Sequence, residues 1–171
     1  RQWSRGLGDV YKRQVWYMSV TNNSKFRSNC SLSCSLDVFG DKWSLLIIRD
    51  MIFEKKNTFK DFISSEERIA SNILASRLKN LEKFGIISKN NSIQNKKIKI
   101  YKLTDSGLGL IPALLEIAIW GKNNIKVFNL KNQTIFNSIK NKQKFIEKIQ
   151  YEYLESFNNC LLYTSPSPRD H

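Results

Sequence analysis

Apolar residues recur at three- and four-residue intervals between residues 71 and 84, which is the spacing of one face of an α-helix. This apolar face consists of Ile73, Leu74, Leu78 and Leu81. The remaining positions are small, amide-bearing or basic, namely Ser71, Asn72, Ser76, Lys79, Asn80 and Lys83. Gly85 follows where a C-cap glycine is expected, because glycine adopts a positive φ without steric cost. The pattern predicts an amphipathic helix whose polar face suits phosphates and base edges, although any solvated surface helix has a polar face too.

Two segments of strand-like composition follow this helix and predict a β-hairpin. Residues 86–89 and 98–103 are rich in β-branched and aromatic side chains. In the second segment Tyr101 and Leu103 share one face, so we expect them to point inward, opposite Ile86 or Ile87. The connection NNSIQNKK carries turn-forming residues and leads into the lysines that could meet phosphate, Lys96, Lys97 and Lys99. A solvated loop has similar composition, but its place directly after the amphipathic helix favours a wing.

Residues 35–64 predict the supporting helices. A short apolar turn of helix over Ser35–Phe39 is ended by Gly40, and the carboxylate of Asp41 can then cap a helix over residues 42–53. That helix is apolar around most of its surface, so we expect it to be buried. Thr58 is expected to cap the short helix FKDFI, and the loop SSEERIA joins it to the amphipathic helix.

Helix, turn, helix, strand, basic hairpin and strand is the order of a winged helix-turn-helix. We therefore predict an α+β, mostly helical fold with a β-hairpin wing and additional N- and C-terminal helices. In this arrangement the second helix enters the DNA major groove and the hairpin touches the flanking backbone. The residues predicted to contact double-stranded DNA are Ser71, Asn72 and Ser76 at base edges, and Lys79, Lys42, Lys96 and Lys97 at phosphates.

Several spaced motifs also resemble the HxlR family of bacterial winged-helix transcriptional regulators, which are distantly similar to MarR regulators. The motifs are Cys30, LD at 36–37, GDKW at 40–43, LLIIRD at 45–50, TFKDF at 58–62, IASNILASRLKNLEKFGII at 69–87, YKLTDSG at 101–107 and IWG at 119–121. The resemblance covers roughly residues 28–122. It implies a homodimer on a short, roughly palindromic operator. Ala70 and Ser31 depart from the family pattern, where many members have a capping Ser or Thr and a proline, respectively.

Cys30 is the candidate site for an effector, because the resemblance implies a redox- or electrophile-sensing thiol in some members. It lies just before the first predicted helix, with Lys25 and Arg27 nearby, and cations and a helix N-terminus both favour the reactive thiolate. The alternative is an inert, half-buried thiol packed beside Leu32 and Leu36. Cys34 is expected to be a small core residue.

Four segments make up the predicted domain organisation. Residues 1–17 and 160–171 differ in composition from the Lys/Asn/Ile-rich middle and look like translated adapter sequence, so they are excluded from fold reasoning. Residues 18–122 form the winged-helix domain, in which Pro112 is expected to kink a helix that begins near Thr104. Residues 123–159 form a helical extension with an apolar stripe of Ile135, Ile139, Ile146, Ile149, Tyr153 and Phe157. This stripe either packs on the domain's own core or forms a dimer contact with the 105–120 helix.

Charge, hydropathy and the types of residue present exclude several classes of protein. The net charge of +13 carries less weight than the placement of basic groups, because an AT-rich coding sequence inflates lysine whatever the function. No apolar run suits a transmembrane helix and no secretory signal precedes the domain, so a cytoplasmic protein without membrane contact is expected. The only histidine is His171, and no glycine-rich phosphate loop or zinc-type spacing occurs. We therefore expect no enzyme activity, metal or cofactor.

One alternative function stays open, in which the winged helix serves RNA or protein interaction rather than operator binding. Aromatic residues on an exposed sheet would favour RNA stacking. We expect Trp43, Tyr101 and Trp120 to belong to the core, because each has apolar neighbours in sequence.

Overall fold

Among the residues whose structure is described, helices dominate the fold, and one β-hairpin follows the fourth of these helices. The computed structural model describes residues 26–92, 95–125 and 141–162, the last five of these without their side chains. Over these residues the elements are α1 Ser31–Phe39, α2 Ser44–Phe53, α3 Phe59–Ile63, α4 Ser71–Lys83, β1 Ile87–Asn91, β2 Lys99–Leu103, α5 Asp105–Leu108, α6 Ile111–Asn124 and α7 Lys142–Leu162. The predicted winged helix-turn-helix is confirmed. Among the described helices, none combines the length and apolar character needed to cross a bilayer.

The central helix α2 is buried, as its apolar sequence predicts. Ile48, Met51 and Ile52 are at most 1 % exposed. The carboxylate of Asp41 accepts hydrogen bonds from the backbone N–H groups of Trp43 and Ser44 at 2.8 and 3.1 Å, so it satisfies the first turn as expected. The helix itself begins at Ser44, two residues later than the sequence pattern suggests.

The first helix is longer than predicted. It begins at Ser31 rather than Ser35, with Cys30 at its N-cap. The backbone N–H of Cys34 donates to the Cys30 carbonyl at 2.9 Å, which closes the first turn. The apolar pattern did not predict this turn, because its residues include serines, which are common at caps and in loops as well as in helices.

The ends of α3 and α4 follow local rules. Thr58 and Asp61 form a reciprocal capping box, in which each side chain accepts from the other residue's backbone N–H. At the end of α4, Gly85 has a φ of 66°, and the N–H groups of Ile86 and Gly85 donate to the carbonyls of Leu81 and Glu82. This pair of bonds is a Schellman motif, so the predicted C-cap is confirmed.

The hairpin turns its apolar side toward the core of the domain. The two strands are antiparallel, and Ile87 is opposite Leu103 while Lys89 is opposite Tyr101. Tyr101 and Leu103 are 8 % and 7 % exposed, so the predicted inward face is confirmed. Strand β1 begins at Ile87 rather than residue 86, because Ile86 belongs to the helix-ending turn.

The expectation of one kinked helix after the wing is wrong. Thr104 caps the short helix α5 through its hydroxyl, which accepts from the Gly107 N–H. A second helix, α6, begins at Ile111 with Pro112 in its first turn. Proline is well tolerated there, because a first-turn N–H has no intrahelical partner to lose.

The C-terminal helix α7 packs on the core of the same chain. Ile149 and Tyr153 are buried in that core, and Ile146 and Phe157 lie partly buried against it. These four residues of the predicted stripe therefore pack on the core of their own chain. Ile135 and Ile139 lie outside the described residues. The expectation that Trp120 belongs to the core is wrong, since its side chain is 62 % exposed on α6. Trp43 packs partly buried against the core, and Tyr101 is buried.

Candidate nucleic-acid interface

Helix α4 presents one continuous polar stripe to solvent. Leu74, Leu78 and Leu81 are buried on the opposite side. The stripe consists of residues at helical intervals of three and four, Asn72, Ser76, Lys79 and Lys83, all of which are exposed. Ser71 is exposed beside it in the first turn. The stripe therefore contains three of the four predicted contact residues of α4, and the fourth is its neighbour.

One flank of α4 is fixed against the N-terminal helices. The Asn80 amide donates to the carbonyl of Val38 in α1 at 2.9 Å. Arg77 approaches the carboxylate of Asp41 at 3.4 Å. The sequence pattern put Asn80 on the polar outward face, and this is wrong because neighbouring α1 takes up its side chain. These two contacts set the rotation of α4 about its axis.

Asp41 is ionised at this junction. Burial opposes its charge, but hydrogen bonds from the Ser44 hydroxyl and from the Trp43 and Ser44 N–H groups outweigh burial, and with Arg77 they hold the pKa of Asp41 below its ordinary value. Lys42, the next residue, is exposed, and its ammonium lies 4.9 Å from the centre of the Trp43 ring. A cation thus sits at the start of α2, beside the contact between Asp41 and α4.

A buried polar cluster fixes the turn between α3 and α4. Asp50 of α2, 2 % exposed, accepts a hydrogen bond from the hydroxyl of Ser65 in the turn. The ammonium of Lys56 reaches Ser65 at 2.8 Å and Asp50 at 3.3 Å. Arg49 bridges Asp50 and Glu67, and its hydrogen bonds to Glu67 are the main reason that the pKa of Glu67 is lowered. The turn therefore cannot shift without breaking contacts to α2.

This cluster was not predicted from the sequence. Its one signal was the adjacent pair Arg49 and Asp50 within an otherwise apolar helix. Charged groups are rarely buried unless they are paired, so such a pair indicates partners elsewhere in the fold.

The asparagine at the start of the stripe is suitably placed for base recognition. The side-chain oxygen of Asn72 accepts a hydrogen bond from the Ile73 N–H at 2.9 Å, inside the first turn of α4. An exposed asparagine amide can donate and accept at the major-groove edge of adenine. Such a contact would compete with the local hydrogen bond, so the bound and unbound rotamers are expected to differ.

The basic residues of the hairpin divide into two groups. Lys96 and Lys97 are exposed at the tip, where the N–H of Lys97 donates to the Asn95 side chain at 2.9 Å. Within the part of the chain that the structure describes, no carboxylate pairs with either ammonium. The other lysines have partners within the protein: Lys89 pairs with Glu82, Lys99 donates to Asn91, and Lys102 lies over the Phe157 ring. The tip is thus the part of the wing equipped to meet phosphate.

Cys30 is accessible rather than packed. It is exposed, and the backbone N–H groups of Ser33 and Leu32 lower its pKa. The alternative of a half-buried thiol beside Leu32 and Leu36 is wrong, since these leucines are themselves 68 % and 49 % exposed.

The sources of charge near Cys30 also differ from the expectation. The guanidinium of Arg27 pairs with Asp37, so its charge is compensated by that carboxylate. Lys25 lies outside the described residues.

Cys34 is half-buried, and its thiol donates to the carbonyl of Ser28 at 3.2 Å.

The sheet does not resemble an RNA-stacking platform. Its aromatic residue Tyr101 is buried and packs edge-on against Phe62, with ring centres 6.3 Å apart. RNA-binding sheets instead expose aromatic rings on which bases stack. The exposed Trp120 belongs to α6 and not to either strand.

Comparisons with known proteins agree with this geometry. Residues 38–129 match the sequence model of the HxlR-like helix-turn-helix family. The uncharacterised HTH-type transcriptional regulator YybR of Bacillus subtilis is 30% identical over 118 residues, which span 69% of this chain and 92% of that protein. The uncharacterised HTH-type regulator YdeP of the same organism is 30% identical over 105 residues, spanning 61% of this chain and 81% of that one.

Solved structures give the same result. PA1607, described as a putative transcription factor, is 38% identical with a TM-score of 0.54, and the match covers 59% of this chain and 69% of that one. The redox regulator HypR in its oxidised form is 30% identical with a TM-score of 0.51, covering 57% of this chain and all of that one. Helix α7 lies beyond the residues that the family model matches. The chain belongs to the HxlR-like helix-turn-helix family of DNA-binding transcriptional regulators.

Proposed function

We propose that the protein binds a short, roughly palindromic operator as a homodimer. Helix α4 lies in the major groove, and the hairpin tip touches the backbone beside it. The observation that carries this proposal is the exposed stripe of α4, whose rotation the Asn80 and Arg77 contacts hold in place.

The short polar residues and the lysines of the interface have different roles. Asn72 and Ser76, with Ser71 nearby, read base edges, because their short polar groups lie in the first half of the helix, the half that contacts base edges in helix-turn-helix proteins. Lys79, Lys42, Lys96 and Lys97 contact phosphates, which supplies affinity that does not depend on sequence. Operator preference should therefore depend on the helix, and salt dependence on the lysines.

The homodimer is supported by apolar side chains that the described chain leaves uncovered. Ile117 and Trp120 on α6 are 53 % and 62 % exposed, and Leu32 and Leu36 on α1 are also exposed. Large apolar groups on neighbouring turns of one helix are typical of a surface that another subunit covers. A two-fold dimer presents two copies of α4 to half-sites about one DNA turn apart, roughly 34 Å.

Cys30 is proposed as an oxidant or electrophile sensor. Its exposure and its lowered pKa both favour reaction through the thiolate. A similar structure, HypR, is described as a redox regulator. Modification of Cys30 at the start of α1 changes the environment of exposed Leu32 and Leu36, and through them the dimer and its hold on DNA.

A gel-shift titration tests the proposal. The probes are the duplex upstream of the coding region, a scrambled duplex of equal length and composition, and the matching RNA. The proposal predicts a retarded complex on the upstream duplex that survives competition by the scrambled one. Equal retention of all three probes would contradict operator binding, and preference for the RNA would favour the RNA-binding alternative.

A further inference from the structure

The outer edge of β2 is closed by groups from distant parts of the chain. In the observed register the N–H groups of Tyr101 and Leu103 point away from β1. The Tyr101 N–H donates to the carbonyl of Asn57, in the loop before α3, at 2.8 Å. The Leu103 N–H donates to the hydroxyl of Tyr153, fifty residues later in α7, also at 2.8 Å.

The hydroxyl of Tyr153 satisfies a buried backbone N–H group of β2. The residue is 1 % exposed, and Leu103 is 7 % exposed. A buried N–H without a partner is costly, so the hydroxyl replaces the hydrogen bond that a third strand would otherwise make. Burial raises the pKa of Tyr153 to about 12, so the hydroxyl stays protonated and neutral across the physiological range.

The surrounding contacts join the wing to the rest of the domain. The Lys55 ammonium lies 5.4 Å from the Tyr153 ring centre, and the Lys102 ammonium of β2 lies 4.6 Å from that of Phe157. The two aromatic rings contact each other, with centres 5.0 Å apart. Helix α7 therefore contacts the base of the wing and the loop that follows α2 through one aromatic pair.

A two-stranded hairpin is marginally stable by itself, so what supports its free edge determines where its tip lies. We propose that Tyr153 is a positioning residue for the wing, which holds the base of β2 to the domain so that Lys96 and Lys97 stand at a fixed distance from α4. This inference rests on the proposed DNA binding. It assigns a role to the C-terminal extension that the family match does not cover.

The test compares Tyr153→Phe with Tyr151→Phe in the full chain. Both variants lose one hydroxyl from α7, but that of Tyr151 is exposed and bonds only to Glu155 within the same helix, among the described contacts. Tyr153→Phe keeps the ring contacts and should speed amide exchange at Leu103 on the order of tenfold, since one buried hydrogen bond is lost. Amides of α2 and α4 should be unchanged, and Tyr151→Phe should alter none of them.

DNA binding supplies the second readout. Affinity for the upstream duplex should fall several-fold in Tyr153→Phe, and the same substitution should cost nothing further when Lys96 and Lys97 are both alanine. The inference would be overturned if Tyr153→Phe left DNA affinity unchanged, or lowered it equally with and without the two lysines. It would also be overturned if amide exchange at Leu103 did not change, or if exchange became faster throughout the domain. If wild-type protein binds no DNA, the proposed function fails, while the exchange data still decide whether Tyr153 supports the wing.

Discussion

The hydroxyl of Ser65, in the turn between the two helices of the helix-turn-helix, donates a hydrogen bond to the carboxylate of Asp50, fifteen residues earlier in α2. Both groups are buried, and Lys56 contacts both of them. The turn that sets the angle of α4 is therefore held by a charged group inside the core, not only by apolar packing. The cluster is sensitive to loss of Asp50, because Arg49 and Lys56 then keep only the more exposed carboxylates of Glu67 and Glu54.

Replacing Asp50 with alanine should destabilise the protein by about 3 kcal/mol, because Arg49 and Lys56 lose their shared carboxylate. The free energy of unfolding, measured by urea titration, gives the result. Glu67→Gln is the control, since its pair with Arg49 is partly exposed and should contribute less than about 1 kcal/mol. Equal losses in the two variants would show that burial of Asp50 does not matter.

The sequence predicted those features that local chemistry determines. The three- and four-residue spacing of Leu74, Leu78 and Leu81 identifies the buried face of α4 whatever lies opposite. Gly85 predicted the helix end, because a positive φ favours glycine. The alternation of Tyr101 and Leu103 likewise predicted the inward face of β2.

Features that depend on neighbours in space could not be predicted in this way. Asn80 and Asn72 are the same residue type on one helix, and only the position of Val38 turns the first of them inward. Trp120 has apolar neighbours in sequence but is 62 % exposed in the described chain, so its neighbours in sequence gave the wrong prediction. The contact between Leu103 and Tyr153 joins residues too far apart in sequence for any local pattern to reveal.

The wing should contribute to DNA affinity through the lysines at its tip. Changing Lys96 to alanine should lower the slope of log K against log salt by about one unit if the side chain neutralises one phosphate. Lys97→Ala should behave alike. Lys89→Ala is the matched control, because its ammonium pairs with Glu82 at 3.1 Å, and the slope should hardly change. An unchanged slope in the Lys96→Ala, Lys97→Ala double variant would place the wing away from DNA.

Assembly should depend on the exposed face of α6. Substituting Trp120 and Ile117 by lysine should convert dimer to monomer, since two charges would lie in an apolar contact. Light scattering gives the mass. Leu154→Lys, on the exposed side of α7, tests whether the extension also contributes. A dimer that survives all three substitutions would place the interface elsewhere.

Removing the chain after Gly121 would be a less specific experiment. It deletes Ile149 and Tyr153 from the core as well as any interface, so aggregation is expected along with loss of the dimer. Point substitutions on exposed side chains separate the two effects.

Cys30 should react with an alkylating reagent faster than Cys34 at neutral pH. Its thiol is exposed and its pKa is lowered by backbone hydrogen bonds, whereas Cys34 is half-buried. Mass spectrometry of the modified peptides measures both rates. Operator affinity should then fall after quinone treatment in wild type but not in Cys30→Ser. An identical response in the two proteins would make Cys30 structural.

The central claim is that the outward stripe of α4 reads DNA sequence, and two asparagines on that helix test it most directly. Asn72→Ala should weaken operator binding by about 1–3 kcal/mol and relax the preference at one base position. Asn80→Ala should cost about 1 kcal/mol of folding stability through the lost Val38 contact, with base preference retained. Gel-shift titrations of both variants against single-base operator changes measure this. If Asn72→Ala keeps the wild-type preference at every position, α4 is not the reading helix and the account is wrong.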